Sequence, residues 1–354
     1  MKSMKLKVIL IVLLAATLAN AASAQRSIWS PKKAAKWYRH YDWQRGANFI
    51  PANAINQLEM WQAATFDTAV INRDLGYAAS IGLNSMRVFL HHAAWEQDPA
   101  GFKQRMNTYL EIAHKHGIST MFVLFDDCWN KTYAYGTQPV PKVGIHNSGW
   151  LQDPGVRRES SPGLTDTLER YVKDVLTTFR KDKRIFLWDL YNEPGNSDYG
   201  NKSLPLLQQV FAWARTVETI QPVSSGVWNE KLTALNTFQL NNSDVVTYHN
   251  YADEKAHQAA IDTLRKYNRP LICTEYMART RGSLFQNIMP LLKKENIAAF
   301  NWGLVSGKTN TIYAWDKPMT DGAEPPVWFH DIFRADGTPF SPEEITVIKS
   351  LTGK

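Results

Sequence analysis

An apolar run ends in Trp188-Asp189-Leu190-Tyr191-Asn192-Glu193-Pro194, where proline blocks continuation of a strand directly after the glutamate. A carboxyl held at a strand end and partly desolvated by aromatic neighbours has a raised pKa, which suits a general acid. Alone, Asn-Glu-Pro serves equally well as a turn capping the next helix. A second acid decides between the two. Leu271-Ile272-Cys273-Thr274-Glu275 is another apolar run closing on glutamate, and an acid in that place is uncommon without a partner. Brought together, one glutamate can protonate a leaving oxygen while the other attacks an anomeric carbon, the two tasks of glycosidic bond cleavage.

Something must bring them together. Strand-like runs at 46–50, 85–90, 120–125, 185–191, 223–227, 245–249, 271–274 and 298–302 alternate with helical stretches at 67–80, 101–116, 165–179, 204–219 and 256–267. Within 165–179, Leu168, Tyr171, Val172, Val175, Leu176 and Phe179 recur at helical spacing and form one core-facing stripe. Eight strands alternating with helices predict parallel βα units and a single (β/α)8 TIM barrel over 25–354. A doubly wound sheet is the alternative, but the turn after strand 1 reads Asn48-Phe49-Ile50-Pro51 and carries no G-x-G-x-x-G. In a barrel, strands 4 and 7 face one another across the mouth. Segments 129–163 and 308–326 are too long for plain connectors and are expected as functional βα loops after strands 3 and 8. A short leading helix is signalled by Ser30-Pro31.

The order of these markers resembles the clan-A retaining glycoside hydrolases, nearest to glycoside hydrolase family 5, the cellulase family, and bacterial proteins labelled endo-1,4-β-xylanases. Arg87 ends strand 2, Asn192 and Glu193 end strand 4, and His249 and Tyr251 form His-x-Tyr after strand 6. Glu275 ends strand 7 and Trp302 ends strand 8. The resemblance implies that Glu193 is the acid/base and Glu275 the nucleophile. It also implies that Arg87 and Tyr251 keep Glu275 ionised and that Asn192 binds the sugar 2-hydroxyl. Trp302 would be the platform beneath the reacting ring, followed by a cis peptide bond to Gly303. One departure stands out: the family's histidine after strand 3 is replaced by Asp126-Asp127-Cys128-Trp129. Glu59, His91 and Trp129 are expected as further substrate contacts. His91 and His92, adjacent in sequence, point to opposite faces if the segment is extended and are then expected to chelate poorly. There is no H-E-x-x-H and no G-x-S-x-G.

Composition agrees with a globular protein: 44% of the 354 residues are hydrophobic and 21% charged, too apolar for a disordered chain. The net charge of +7 falls to +4 without Lys2, Lys5 and Lys7, which is too little for a nucleic-acid stripe. Those lysines precede an apolar run over 8–16 and Ala22-Ser23-Ala24. This pattern predicts a secretory signal peptide over 1–24 and a periplasmic or secreted protein. Cys128 and Cys273, expected on strands 3 and 7, are read as free thiols. The expected partner is a β-linked plant-type glycan of the xylan, glucan or mannan kind. Neither cofactor nor metal, nucleic acid nor membrane is expected, and the chain is expected to be a monomer. A transglycosylase on the same residues and a non-catalytic glycan-binding barrel are the rival readings.

Overall fold

The computed structural model describes residues 25–155 and 161–354, so the expected signal peptide lies outside the described residues. Eight strands follow in chain order: β1 Arg45–Phe49, β2 Ser85–Phe89, β3 Ser119–Val123, β4 Ile185–Asp189, β5 Val223–Ser224, β6 Val246–His249, β7 Leu271–Tyr276 and β8 Ala298–Asn301. They hydrogen-bond in the order β5-β4-β3-β2-β1-β8-β7-β6, and all the paired strands are parallel. The ring closes where Val227 bridges to Tyr248, with Val227 N donating to Thr247 O and His249 N to Val227 O. This is the expected (β/α)8 barrel.

Strands β2 and β4 are buried along their whole length, as parallel strands sheathed by helices must be. Gly46 on β1 is required by close approach: a Cβ there would sit 1.8 Å from Ser85 O. The fifth strand is shorter than the expected 223–227. Between Ser224 and the Val227 bridge, side chains replace the ladder, with Ser225 Oγ donating to Tyr191 O and Gln239 Nε2 to Gly226 O.

The leading helix, Pro31–Tyr38, starts at Ser30, whose Oγ accepts from Lys33 N. Its Ala34 and Tyr38, with Trp29, pack on Met121, Phe186, Leu187, Val245, Ile272, Ala298 and Phe300. Most of these residues lie at the entering ends of strands, so the helix plugs the bottom of the barrel and leaves the chemistry to the opposite rim. At that rim Phe89, Val123, Trp150 and Trp302 form a separate apolar layer. No helix among the described residues is long and apolar enough to cross a membrane.

The chain after β8 is fastened by one arginine. Arg279 donates from Nε and Nη2 to both oxygens of Glu344 and also holds the carbonyls of Trp328, His330 and Asp331. Both side chains of this ion pair are buried. Arg279→Ala strands a buried carboxylate and three carbonyls, and is expected to cost about 3–5 kcal/mol. Denaturant titration checks this; a loss below about 1 kcal/mol, the worth of a surface pair, would contradict it.

Candidate active site

Arg87 is the hub of the rim. Fully buried on β2, it donates from Nη1 to Glu275 Oε1 at 2.7 Å and to Asn48 Oδ1 at 2.8 Å. Its Nε and Nη2 reach Asp189 Oδ2 at 3.0 and 2.8 Å, and Nη2 also reaches Asn192 Oδ1 at 2.7 Å. One rigid guanidinium thereby ties β1, β2, β4 and β7 together, a use of its forked donors that a lysine could not match. From the other side, Tyr251 OH donates to Glu275 Oε2 at 2.7 Å.

Glu193 follows β4 at a left-handed φ of 43°, which swings its side chain over the mouth. Its Oε1 lies 2.8 Å from His249 Nδ1, and its Oε2 accepts from Cys128 Sγ at 3.3 Å and from Asn196 Nδ2. The same His249 Nδ1 is 3.4 Å from Glu275 Oε2, and the contacting atoms of Glu193, His249 and Glu275 all lie within 4.8 Å of one another. Burial lowers the His249 pKa to about 4, so the imidazole is neutral near pH 7.

Burial raises both carboxyls above the ordinary glutamate range. Their neighbours then separate them. Glu275 is drawn back by the Arg87 guanidinium in direct contact. Glu193 has only the thiol of Cys128, the amide of Asn196 and the neutral imidazole within hydrogen-bond reach. The cation therefore keeps the charge on Glu275, and Glu193 is the member suited to hold a proton.

The pair opens into a cleft of about 760 Å³ whose aromatic walls are Trp129, Trp150, Trp228, Tyr251, Trp302 and Trp315. Asn192 and His249 line it as well. Trp302 packs edge-on against Phe89 and Trp150 at 5.7 and 5.5 Å. The expected cis bond after it is absent: Asp153–Pro154 is the one cis bond among the described residues. Glycine makes the turn instead. Gly303 sits at φ 80°, where a Cβ would come within 2.6 Å of Asp331 Oδ1, and Asn301 Nδ2 donates to Gly303 O at 2.6 Å. Trp302→Ala removes one aromatic wall of the cleft. It is expected to lower kcat/KM roughly two- to tenfold, in line with one lost aromatic contact. Steady-state kinetics on the best substrate checks this, and unchanged kinetics would remove Trp302 from the site.

Of the further expected contacts, Trp129 reaches the cleft, but Glu59 and His91 do not line it. Glu59 accepts from Ile55 N and pairs with Lys308, joining the loops after β1 and β8. His91 is the N-cap of the helix His92–Gln97; its Nδ1 accepts from Ala93 N. That cap also overturns the expectation of opposed histidines. The rings of His91 and His92 lie nearly parallel, 5.2 Å apart, beside Asp153. These three could chelate by position. All four ring nitrogens nevertheless have protein contacts: Ala93 N, Gln152 O, Asp153 and Tyr133 OH. Cys128 lies past the end of β3 rather than on it; it and Cys273 are both free and buried.

The Asp126-Asp127 departure acquires a role. Asp126 accepts from Asn192 Nδ2, Cys128 N and Trp150 Nε1 at 2.9, 2.9 and 2.8 Å, so it orients Asn192 and the Trp150 wall. Burial pushes its pKa up to about 8 against these donors. Asp127 accepts from Tyr191 OH and Gly195 N, both at 2.8 Å, and from Ser203 Oγ, fastening the chain that carries Glu193. Asn196, three residues after Glu193, was not singled out in the sequence; an Asn shortly after Asn-Glu-Pro was its only signal.

No protein-family model matches the chain, and no curated protein matches it by sequence. Its fold does have solved counterparts. An endo-1,4-beta-D-mannanase from Thermotoga petrophila RKU-1 is 12% identical, with a TM-score of 0.56 over 88% of this chain and 100% of that one. A variant of GH5_18 from Streptomyces cattleya, in complex with Manb1-4GlcNAc, is 10% identical with a TM-score of 0.61, over 88% and 80%. The exo-beta-1,4-mannosidase Op5Man5 from Opitutaceae bacterium strain TAV5 is 15% identical with a TM-score of 0.61, over 88% and 60%. At these identities the likeness is one of fold.

Proposed function

We propose that the protein is a retaining β-glycosidase that hydrolyses β-linked hexosides, with Glu275 as nucleophile and Glu193 as acid/base. The observation that carries this reading is the asymmetric pair. One oxygen of each carboxyl group lies within 4.8 Å of one on the other, with Glu275 gripped by Arg87 and Tyr251 and Glu193 by neutral donors only. Carboxyl groups about 5–5.5 Å apart serve retention, whereas inversion needs about 6.5–9.5 Å to seat a water between acid and base. Glu275 would attack the anomeric carbon while Glu193 gives its proton to the leaving oxygen. Glu193 would then deprotonate the water that releases the sugar. Asn192 is held by Arg87 and Asp126 where a 2-hydroxyl would lie, and Trp302 would lie under the ring. Mannose is the configuration favoured, since the fold's counterparts include mannanases and a mannosidase. Nothing comparable supports xylan. Export through the 1–24 segment belongs to the same proposal.

The test is a screen of the purified protein against aryl β-mannosides, β-glucosides and β-xylosides. Turnover of the manno substrate supports the reading; no turnover of any would defeat it. On the substrate found, kcat/KM against pH is expected to be bell-shaped. The acid limb follows protonation of Glu275 and the alkaline limb loss of the Glu193 proton. Because burial raises Glu193, the alkaline limb belongs above the ordinary carboxylate range. A profile that only rises from pH 4 to 9 would contradict a protonated acid.

A further inference from the structure

Building on the glycosidase reading, we infer that the cleft is closed at the end holding the reacting sugar, so that the enzyme removes single residues from the non-reducing end of its substrate. The loops after β1, β3 and β8 are sewn into one wall. Asn147 N donates to Thr309 O at 2.8 Å, Met319 N to Gly144 O at 3.1 Å, and Asn310 Nδ2 to Lys142 O at 2.9 Å. His146 Nδ1 lies 2.8 Å from Tyr313 O. The first loop joins through Asn56 Nδ2 to Gly149 O at 3.0 Å, Lys308 N to Ala52 O at 3.0 Å, and the Glu59–Lys308 pair. Continuous chain therefore stands over the side of the rim from β8 through β1 and β2 to β3.

The direction of the substrate follows from the acids. The leaving oxygen must lie by Glu193, so the departing chain runs past Asn196, Ser197 and Trp228, which line the cleft after β4 and β5. The reacting ring lies over Trp302, with its far edge toward Trp150 and Asn147. The cavity that those three residues line together with Asn48, Phe49 and Ile50 is about 20 Å³, room for about one water and not for a sugar ring.

The wall also carries two buried acceptors. Asn147 Oδ1 and His330 Nε2 have no hydrogen-bond partner among the described residues. Both residues line the cleft, and each is at most 1% exposed. His330 contacts Met277 O through Nδ1 at 2.7 Å, which places the proton there and leaves Nε2 with a lone pair. A terminal sugar offers hydroxyl donors to such acceptors. A sugar linked onward has an ether oxygen in place of a hydroxyl; it donates nothing and leaves a buried acceptor unpaired.

The experiment uses a linear β-1,4-linked pentasaccharide of the configuration turned over in the aryl screen, labelled at its reducing end. Initial products from the full protein are expected to be the monosaccharide and a labelled tetrasaccharide. A 4,6-O-benzylidene cap on the non-reducing sugar should abolish cleavage. Early di- and trisaccharides, or cleavage of the capped chain at the uncapped rate, would overturn the closed end while leaving a glycosidase. Failure on aryl glycosides and oligosaccharides alike would overturn both.

Discussion

Glu275→Ala is expected to lower turnover by on the order of 10⁴-fold or more, because no other group can form the covalent bond to the sugar. Azide should restore part of the rate, entering the space the carboxylate leaves and giving the glycosyl azide of inverted configuration. The pocket is prepared for an anion: Arg87 and Tyr251 each keep a donor at 2.7 Å from the position of the lost oxygens. Asp189, also on Arg87, limits the loss of stability by keeping the guanidinium paired. A Glu275→Ala protein with activity within tenfold of the parent would show that the nucleophile is elsewhere.

Glu193→Ala has a different signature. General acid catalysis contributes typically about 10²–10⁴-fold. A loss of that size is expected on sugars with poor leaving groups, and a much smaller one on activated aryl glycosides. Azide should here give the glycosyl azide of retained configuration, since it attacks the glycosyl-enzyme from the face the water would use. His249, Cys128 and Asn196 lose their shared partner in this variant, so its pH profile should also lose the alkaline limb. The reverse pattern, with azide inverting at Glu193→Ala and retaining at Glu275→Ala, would exchange the two roles.

What was legible in the sequence follows from what a strand imposes. A buried parallel strand fixes where its last side chains point, so apolar runs ending in Asn192-Glu193, Glu275 and Trp302 already placed those residues at one rim; Arg87, expected at the end of its strand, lies in the middle of β2 and reaches Glu275 and Asn192 with its long side chain. Loops impose no such direction. Glu59 lies on a short helix well past the end of β1 and His91 caps one just after β2, and each side chain is spent on bonding away from the cleft, with Ile55 and Lys308 in one case and Ala93 and Gln152 in the other. Asp126 and Asp127 were visible as a departure, but their partners Trp150, Asn192 and Ser203 come from segments distant in sequence. The turn after Trp302 differs from the expected cis bond: the bond is not cis, and Gly303 makes the turn at a φ of 80°.

The most direct test of the two-carboxylate assignment is to trap the intermediate. A 2-deoxy-2-fluoro β-glycoside of the active configuration, carrying a good leaving group, slows both steps, and the leaving group restores the first. Intact mass spectrometry should show the protein heavier by one fluoroglycosyl unit, and peptide mapping should place that unit on Glu275. An adduct on Glu193 or any other residue would contradict the account, as would unlabelled protein that releases product of inverted configuration.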